Sequence, residues 1–279
     1  MFNFAKNSSI IAIVMATFLF SACATKSKDI TNKQAMIYFG GGTQSLMTSQ
    51  YTDALTNLLK ANSLEPDNSL ILTNLGMAYY FKDERSTAIK YLERAIKIDP
   101  ENSDAKLNLA SIYYNDGDID RAEKLYKLVL KDLTYDKQAR TQYNLGMLEL
   151  QKRNNVVAAE NYFKKAIKED DNYCAAYFQL GMIQFTRRQF NTALKNFKES
   201  TMGTCYDSAA GHYYQGLSML ELHSYMDARL KFDEISAKFS KTVYGVKART
   251  KAVEINDLEN RHKAGEGHAS RKLLDAPEF

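Results

Sequence analysis

Small and large apolar residues recur along the chain at fixed offsets. Ala54, Ala88, Ala122, Ala159, Ala193 and Ala228 follow one another at intervals of 34, 34, 37, 34 and 35 residues. Twelve or thirteen residues before each lies another small residue: Gly42, Gly76, Ala110, Gly146, Gly181 or Gly216. Four residues after each lies a large one: Leu58, Leu92, Tyr126, Phe163, Phe197 or Phe232. Apolar positions between these markers recur at helical spacing, so each interval predicts two antiparallel helices. The small residues let the helices approach closely and the large ones fill the space beside them. Six units result, at 35–68, 69–102, 103–138, 139–173, 174–208 and 209–242. Pro66 and Pro100 fall just past the second helix of their units, where proline can stop it. Val243–Ile255 has helical composition and predicts a capping helix at 243–257 over the last apolar face, while 258–279 offers no periodic face and is expected to be disordered.

A helix pair repeated near every 34 residues resembles the tetratricopeptide repeat, or TPR. The second unit carries the likeness best, with Leu72, Leu75, Gly76, Tyr79, Ala88, Leu92, Ala95 and Pro100 at the pattern's positions. The resemblance implies an all-α fold, a right-handed α-solenoid of six TPR helix pairs plus a C-terminal capping helix, of the kind that binds other proteins along an extended groove. The first unit departs by placing Gly40, Gly41 and Gly42 mid-helix, where each costs about 1 kcal/mol relative to alanine.

Lys6 precedes the apolar run Ile10–Phe20, which is too short for a bilayer span of about 20 residues and fits a signal peptide at 1–22. Leu19-Phe20-Ser21-Ala22-Cys23 resembles a bacterial lipobox, in which Cys23 becomes a lipidated N-terminus; a plain signal peptide with a chance cysteine is the alternative. Several acyl chains on Cys23 would hold the chain stably on a membrane. Residues 23–34 then read as a flexible tether. Ala24 rather than aspartate after the cysteine implies sorting to the outer membrane, with the protein facing the periplasm.

Composition narrows the function classes. Hydrophobic residues make up 45% and charged residues 25%, ordinary for a folded soluble domain, and a net charge of +4 with interspersed signs does not call for nucleic acid. With Cys23 lipidated, Cys174 and Cys205 remain, at adjacent ends of two antiparallel helices. They are expected to form a disulfide, with two separate buried thiols as the alternative. His212, His223, His262 and His268 show no metal-ligand spacing with these cysteines. No phosphate-binding glycine loop or His-Glu-x-x-His segment occurs, and no cofactor, metal, small-molecule substrate or catalytic role is expected.

In stacks of this kind the first helix of each unit lines the groove. Its fifth position reads Phe39, Thr73, Leu107, Tyr143, Phe178 and Tyr213; its twelfth reads Leu46, Tyr80, Tyr114, Leu150, Phe185 and Leu220; its ninth adds Met77, Met147, Met182 and Leu217. An apolar, aromatic and methionine-rich trough suits a partner strand or amphipathic helix. Packing between neighbouring units is the competing role for any one of these residues. Few Lys or Arg occupy the positions, so an acidic C-terminal tail is not the expected ligand.

The third unit is stretched, ending in Val129-Leu130-Lys131-Asp132-Leu133-Thr134-Tyr135 before Ala139 and Asn144-Leu145-Gly146-Met147. A stretched third repeat in a six-repeat lipoprotein resembles the type IV pilus assembly lipoproteins, the pilotins, over about residues 23–242. Their Asp-Pro-Leu-Tyr-Pro stretch occupies this place, here without its prolines. The resemblance implies a non-enzymatic role: delivering secretin subunits to the outer membrane and promoting their assembly, with the first repeats as the contact. A scaffold for peptidoglycan-remodelling enzymes or envelope-assembly factors is the alternative reading.

Overall fold

A computed structural model of the chain describes residues 32–263. The described residues are helical with no strand, and divide between Asp132 and Leu133 into two compact units. The first holds α1 (residues 32–47), α2 (Tyr51–Leu64), α3 (Ser69–Phe81), α4 (Arg85–Ile98), α5 (Ser103–Asp116) and α6 (Ile119–Val129). The second holds α7 (Gln138–Gln151), α8 (Val156–Glu169), α9 (Cys174–Thr186), α10 (Phe190–Glu199), α11 (Ala209–Glu221), α12 (Tyr225–Lys238) and α13 (Val243–Lys263), with a short 3₁₀ turn at Gly203–Cys205. The signal peptide, Cys23 and the tail beyond 263 lie outside the described residues. Two limits shift: α1 already includes residues 32–34, expected in the tether, and α13 runs six residues past the expected end at 257.

The marker residues are the contacts that hold each pair together. Ala54, Ala88, Ala122, Ala159, Ala193 and Ala228 are fully buried, as are Leu58, Leu92, Phe163, Phe197 and Phe232. The glycines sit against the large residues at a distance that leaves no room for a side chain. A Cβ on Gly146 would lie 2.6 Å from Phe163 Cε1, and one on Gly76 2.7 Å from Leu92 Cγ. Close packing of this sort is where most helical stability in a protein arises.

Five of the six first helices stop the same way. The residues at positive φ are Ser49, Asp83, Gly117, Asn154, Arg188 and His223, one in each turn between paired helices, besides Gly203. Behind each, a backbone N–H reaches back to the helix end: Gln50 to Ser45, Glu84 to Tyr79, Asp118 to Tyr113, Gln189 to Gln184 and Ser224 to Met219, at 2.8–2.9 Å. A left-handed residue closed by a six-to-one hydrogen bond is a Schellman stop, which satisfies carbonyls the helix end leaves open. In the fourth repeat the bond runs from Asn155 to Glu149. That turn is one residue longer and accounts for one of the three extra residues between Ala122 and Ala159. The other two fall in the connection at 130–137, where Leu133 is exposed.

Buried polar bridges join successive pairs. Asn102 caps α5 through Ala105 N–H and donates from Nδ2 to Ser69 Oγ at 2.6 Å and Thr73 Oγ1 at 3.1 Å. In the second unit Gln215 Nε2 donates to Phe197 O at 3.0 Å and Thr201 Oγ1 at 2.7 Å. Buried groups satisfied in this way fix the stagger of one pair on the next. The end helix α13 lays Ala248, Ala252 and Ile255 into the core cluster of α9–α12.

Candidate functional site

The first helices α1, α3 and α5 of the first unit, and α7, α9 and α11 of the second, carry the residues expected to meet a partner. In the first unit Phe39, Leu46, Met77, Tyr80 and Tyr114 are half-buried, each resting partly on its neighbours and partly in the open. Tyr80 accepts a hydrogen bond from Asn115 Nδ2 at 2.9 Å, tying α3 to α5, and its ring meets Phe81 edge-on. Asn74 Nδ2 donates to Thr43 Oγ1 at 2.7 Å, so amide and hydroxyl groups sit among the apolar residues of this face.

In the second unit Tyr143, Met147, Leu150 and Phe178 are likewise half-buried. Tyr143 lies against Phe163 and Tyr173, with ring centroids 5.6 and 5.5 Å away. Burial pushes the Tyr143 phenol above its ordinary range, opposed by a hydrogen bond from Gln179, and burial does the same to Tyr173. Both remain neutral phenols at physiological pH and offer hydrogen-bonding groups, not charge.

Six of the expected groove residues are interior instead. Leu107 is fully buried, and Met182, Phe185, Tyr213, Leu217 and Leu220 belong to the core of the second unit. Phe185 and Tyr213 are covered by two tyrosines that the positional pattern does not select. Tyr214 wedges its ring against Phe178, Phe185 and Phe197, and Tyr244 of α13 lies 5.5 Å from the Tyr213 ring. Leu107 stands where four of the other repeats carry phenylalanine or tyrosine, and like Thr73 at the same position its shorter side chain stays inside. Open groove positions therefore lie on α1, α3, α5, α7 and α9.

Cys174, the first residue of α9, and Cys205, in the 3₁₀ turn after α10, are joined by a disulfide with Cα atoms 6.4 Å apart. The bridge binds the 200–208 connection to the start of α9. Beside it opens a cavity of about 290 Å³, lined by Tyr143, Cys174, Ala175, Phe178, Gln179, Ser200, Cys205 and Ser208. On the other side of the connection, Lys238 Nζ lies over the Tyr206 ring, and His212 stacks on Phe239 with centroids 5.6 Å apart. His212 is buried, and Nε2 lies 2.8 Å from the Tyr206 carbonyl, to which it donates as the neutral ring; Nδ1 has no protein partner. Burial lowers its pKa below the usual imidazole value. Among the described residues no group of three or more His, Cys, Asp or Glu is placed to hold a metal ion, and no helix is long and apolar enough to cross a membrane.

The glycine–aromatic contacts, the repeated Schellman turns and the stacked pairs agree with what a family model recognises: residues 84–141 match the tetratricopeptide repeat. The chain has the TPR fold. Among solved structures it is similar to PilF of Pseudomonas aeruginosa, with a TM-score of 0.69 at 16% identity over 81% of this chain and 99% of that one. It is also similar to PilW, a widely conserved type IV pilus biogenesis factor, with a TM-score of 0.64 at 17% identity over 79% and 97% of the two chains. YrrB, a TPR protein with an unusual peptide-binding site, gives a TM-score of 0.50 at 18% identity over 69% and 97%. At these identities the likeness is one of fold. Comparison with curated proteins gives no match. TPR faces generally bind protein partners, and the half-buried tyrosines and methionines here are side chains suited to that task.

Proposed function

We propose that the protein is a non-enzymatic, lipid-anchored TPR adaptor of the bacterial envelope that brings type IV pilus secretin subunits to the outer membrane and promotes their assembly. One observation carries the reading: Tyr80, Tyr114, Tyr143 and Phe178, with Met77 and Met147, stay half-exposed on the first helices while the equivalent residues of the last repeat are sealed. Within each unit, apolar surface left open on the first helices is of the kind that marks a binding site. The fold of PilW and the lipobox at Cys23 support the envelope context.

In this account Cys23 carries the acyl chains that address the protein to the outer membrane. The faces of the first three repeats, nearest that anchor in sequence, hold a secretin segment through apolar anchors. Tyr80 with Asn115 supplies hydrogen bonds to its backbone. Neither step requires bond making or breaking by the adaptor. The test is in-cell photo-cross-linking from a reactive residue in place of Tyr114 or Tyr80. A cross-linked product containing the secretin subunit is expected at both positions and absent at Val157, which is exposed on the second helix α8. Products lacking secretin at Tyr80 and Tyr114, from a strain that makes pili, would overturn the assignment.

A further inference from the structure

The cavity beside the Cys174–Cys205 bridge differs in character from the rest of the first-helix faces. None of its lining residues is charged at neutral pH: two aromatic rings, the two half-cystines, Ala175, the Gln179 amide and two serine hydroxyls form it. An ionised group placed there would lose water without gaining a counter-charge, a cost of several kcal/mol in apolar surroundings. The occupant is therefore neutral. Its volume, about 290 Å³, is roughly twice the ~150 Å³ cavity that accepts a benzene-sized guest. That leaves room for one ring and the start of its backbone. Ser200 Oγ donates to Phe197 O at 2.8 Å, while Ser208 Oγ accepts from Gly211 N–H at 3.3 Å and keeps its O–H to donate. The cavity offers a guest ring faces and polarisable sulfur beside a few uncharged polar groups, which favours an aromatic side chain.

We infer that this cavity is an anchor subsite for an uncharged aromatic side chain, phenylalanine or tyrosine, carried by the partner segment. The inference rests on the adaptor reading above and names the chemistry of one contact made by the second unit, in addition to the contact proposed for the first three repeats. The wall formed by Cys205 stays in place because the disulfide holds the 200–208 connection against α9. Ala175, exposed at the second position of α9, forms part of the rim.

The probe is N-acetyl-phenylalaninamide, with N-acetyl-glutamic acid amide as the charged control, titrated into the purified oxidised protein with ¹³C-methyl alanine labels. Saturable shifts at the Ala175 methyl are expected for the phenylalanine probe, with a dissociation constant on the order of 1 mM for a ligand of this size, and none for the glutamic acid probe. Ala175→Leu fills the rim with a good helix former, so it should keep the helical circular dichroism and weaken the probe at least ~10-fold. Three results would overturn the inference: no saturable shift, equal shifts from both probes, or undiminished binding by folded Ala175→Leu, read at the Ala176 methyl. A dimer in sedimentation that Ala175→Leu converts to monomer would assign the cavity to a second copy of the chain and overturn it too. Because the probe is not secretin, this experiment can fail while the adaptor function stands, and the reverse.

Discussion

Replacing Gly146 with alanine isolates the contact on which the repeat depends. A Cβ there would lie 2.6, 2.8 and 3.1 Å from Cε1, Cδ1 and Cζ of Phe163, and that ring is fully buried in the cluster of α7–α9. Overpacking a core typically costs about 1–3 kcal/mol, and three clashing atoms of a locked ring place this site in the upper half of that range. The gain in helix propensity on replacing glycine offsets about 1 kcal/mol. Gly146→Ala is therefore expected to destabilise the protein by about 1–2 kcal/mol. Gly40 is the matched control: it too is helical, and a Cβ there would meet nothing within 4 Å. Gly40→Ala should stabilise by up to ~1 kcal/mol, so one chemical change is given opposite signs at two sites. Urea unfolding followed by circular dichroism reads both, and hydrogen exchange of the α7 and α8 amides localises the effect, since repeat arrays can unravel piecewise. Gly146→Ala as stabilising as Gly40→Ala would refute the reasoning. It would mean that α7 and α8 can separate to the spacing of the third repeat, where Ala110 holds this position.

Three further outcomes follow from particular residues. Replacing Cys174 and Cys205 with alanine opens a loop whose ends are 31 residues apart, for which the chain-entropy relation gives a loss of ~3–4 kcal/mol; non-reducing peptide mapping of wild-type protein isolated with its thiols blocked should find the two linked, and free thiols there would contradict the bridge. His212 has its folded pKa depressed by burial, so the stability that its neutral form lends is present above the unfolded value near ~6.5 and lost as pH falls through the lower folded pKa. Melting temperature should drop on acidification from about 6.5 down to the lower folded pKa, and His212→Gln should flatten that slope; an unchanged slope would remove His212 as its cause. Arg188, at φ 60 in its turn, is expected to accept glycine with no loss of stability, because the left-handed conformation strains a side chain and not glycine; a loss above ~1 kcal/mol on chemical unfolding would show that the arginine side chain matters more than its backbone.

Much of the fold is legible in the sequence because its defining contacts are local. The alanine, glycine and large-residue markers all come from helices a few residues apart, so their spacing carries the pairing directly. The turns are less readable. Arg188 adopts the same left-handed stop as Gly117, although arginine is not a residue that favours it; the six-to-one hydrogen bond and the packed pair impose it. The groove was legible only in part for a different reason. Position five, nine or twelve says which way a side chain leaves its own helix, but what covers it comes from elsewhere. Tyr80 and Tyr114 remain open, whereas Phe185 and Tyr213 are closed by Tyr214 and Tyr244. The doublet Tyr213-Tyr214 was the available signal, since adjacent helix positions point about 100° apart and two bulky rings there must fill two separate interfaces. The disulfide was readable because the cysteines fall at neighbouring ends of an antiparallel pair, whereas the cavity beside it depends on the path of the 200–208 connection, which periodicity does not specify.

The function assigned here stands or falls on whether secretin assembly needs this chain at the membrane to which Cys23 would anchor it. The most direct measurement is the fraction of heat-resistant secretin multimer in outer-membrane fractions of three strains: wild type, a deletion of the gene, and Cys23→Ser. The account predicts multimers in the wild type, monomers or multimers at the wrong membrane in the deletion, and poor or misplaced assembly with Cys23→Ser. Normal multimers in the outer membrane of the deletion strain would contradict it.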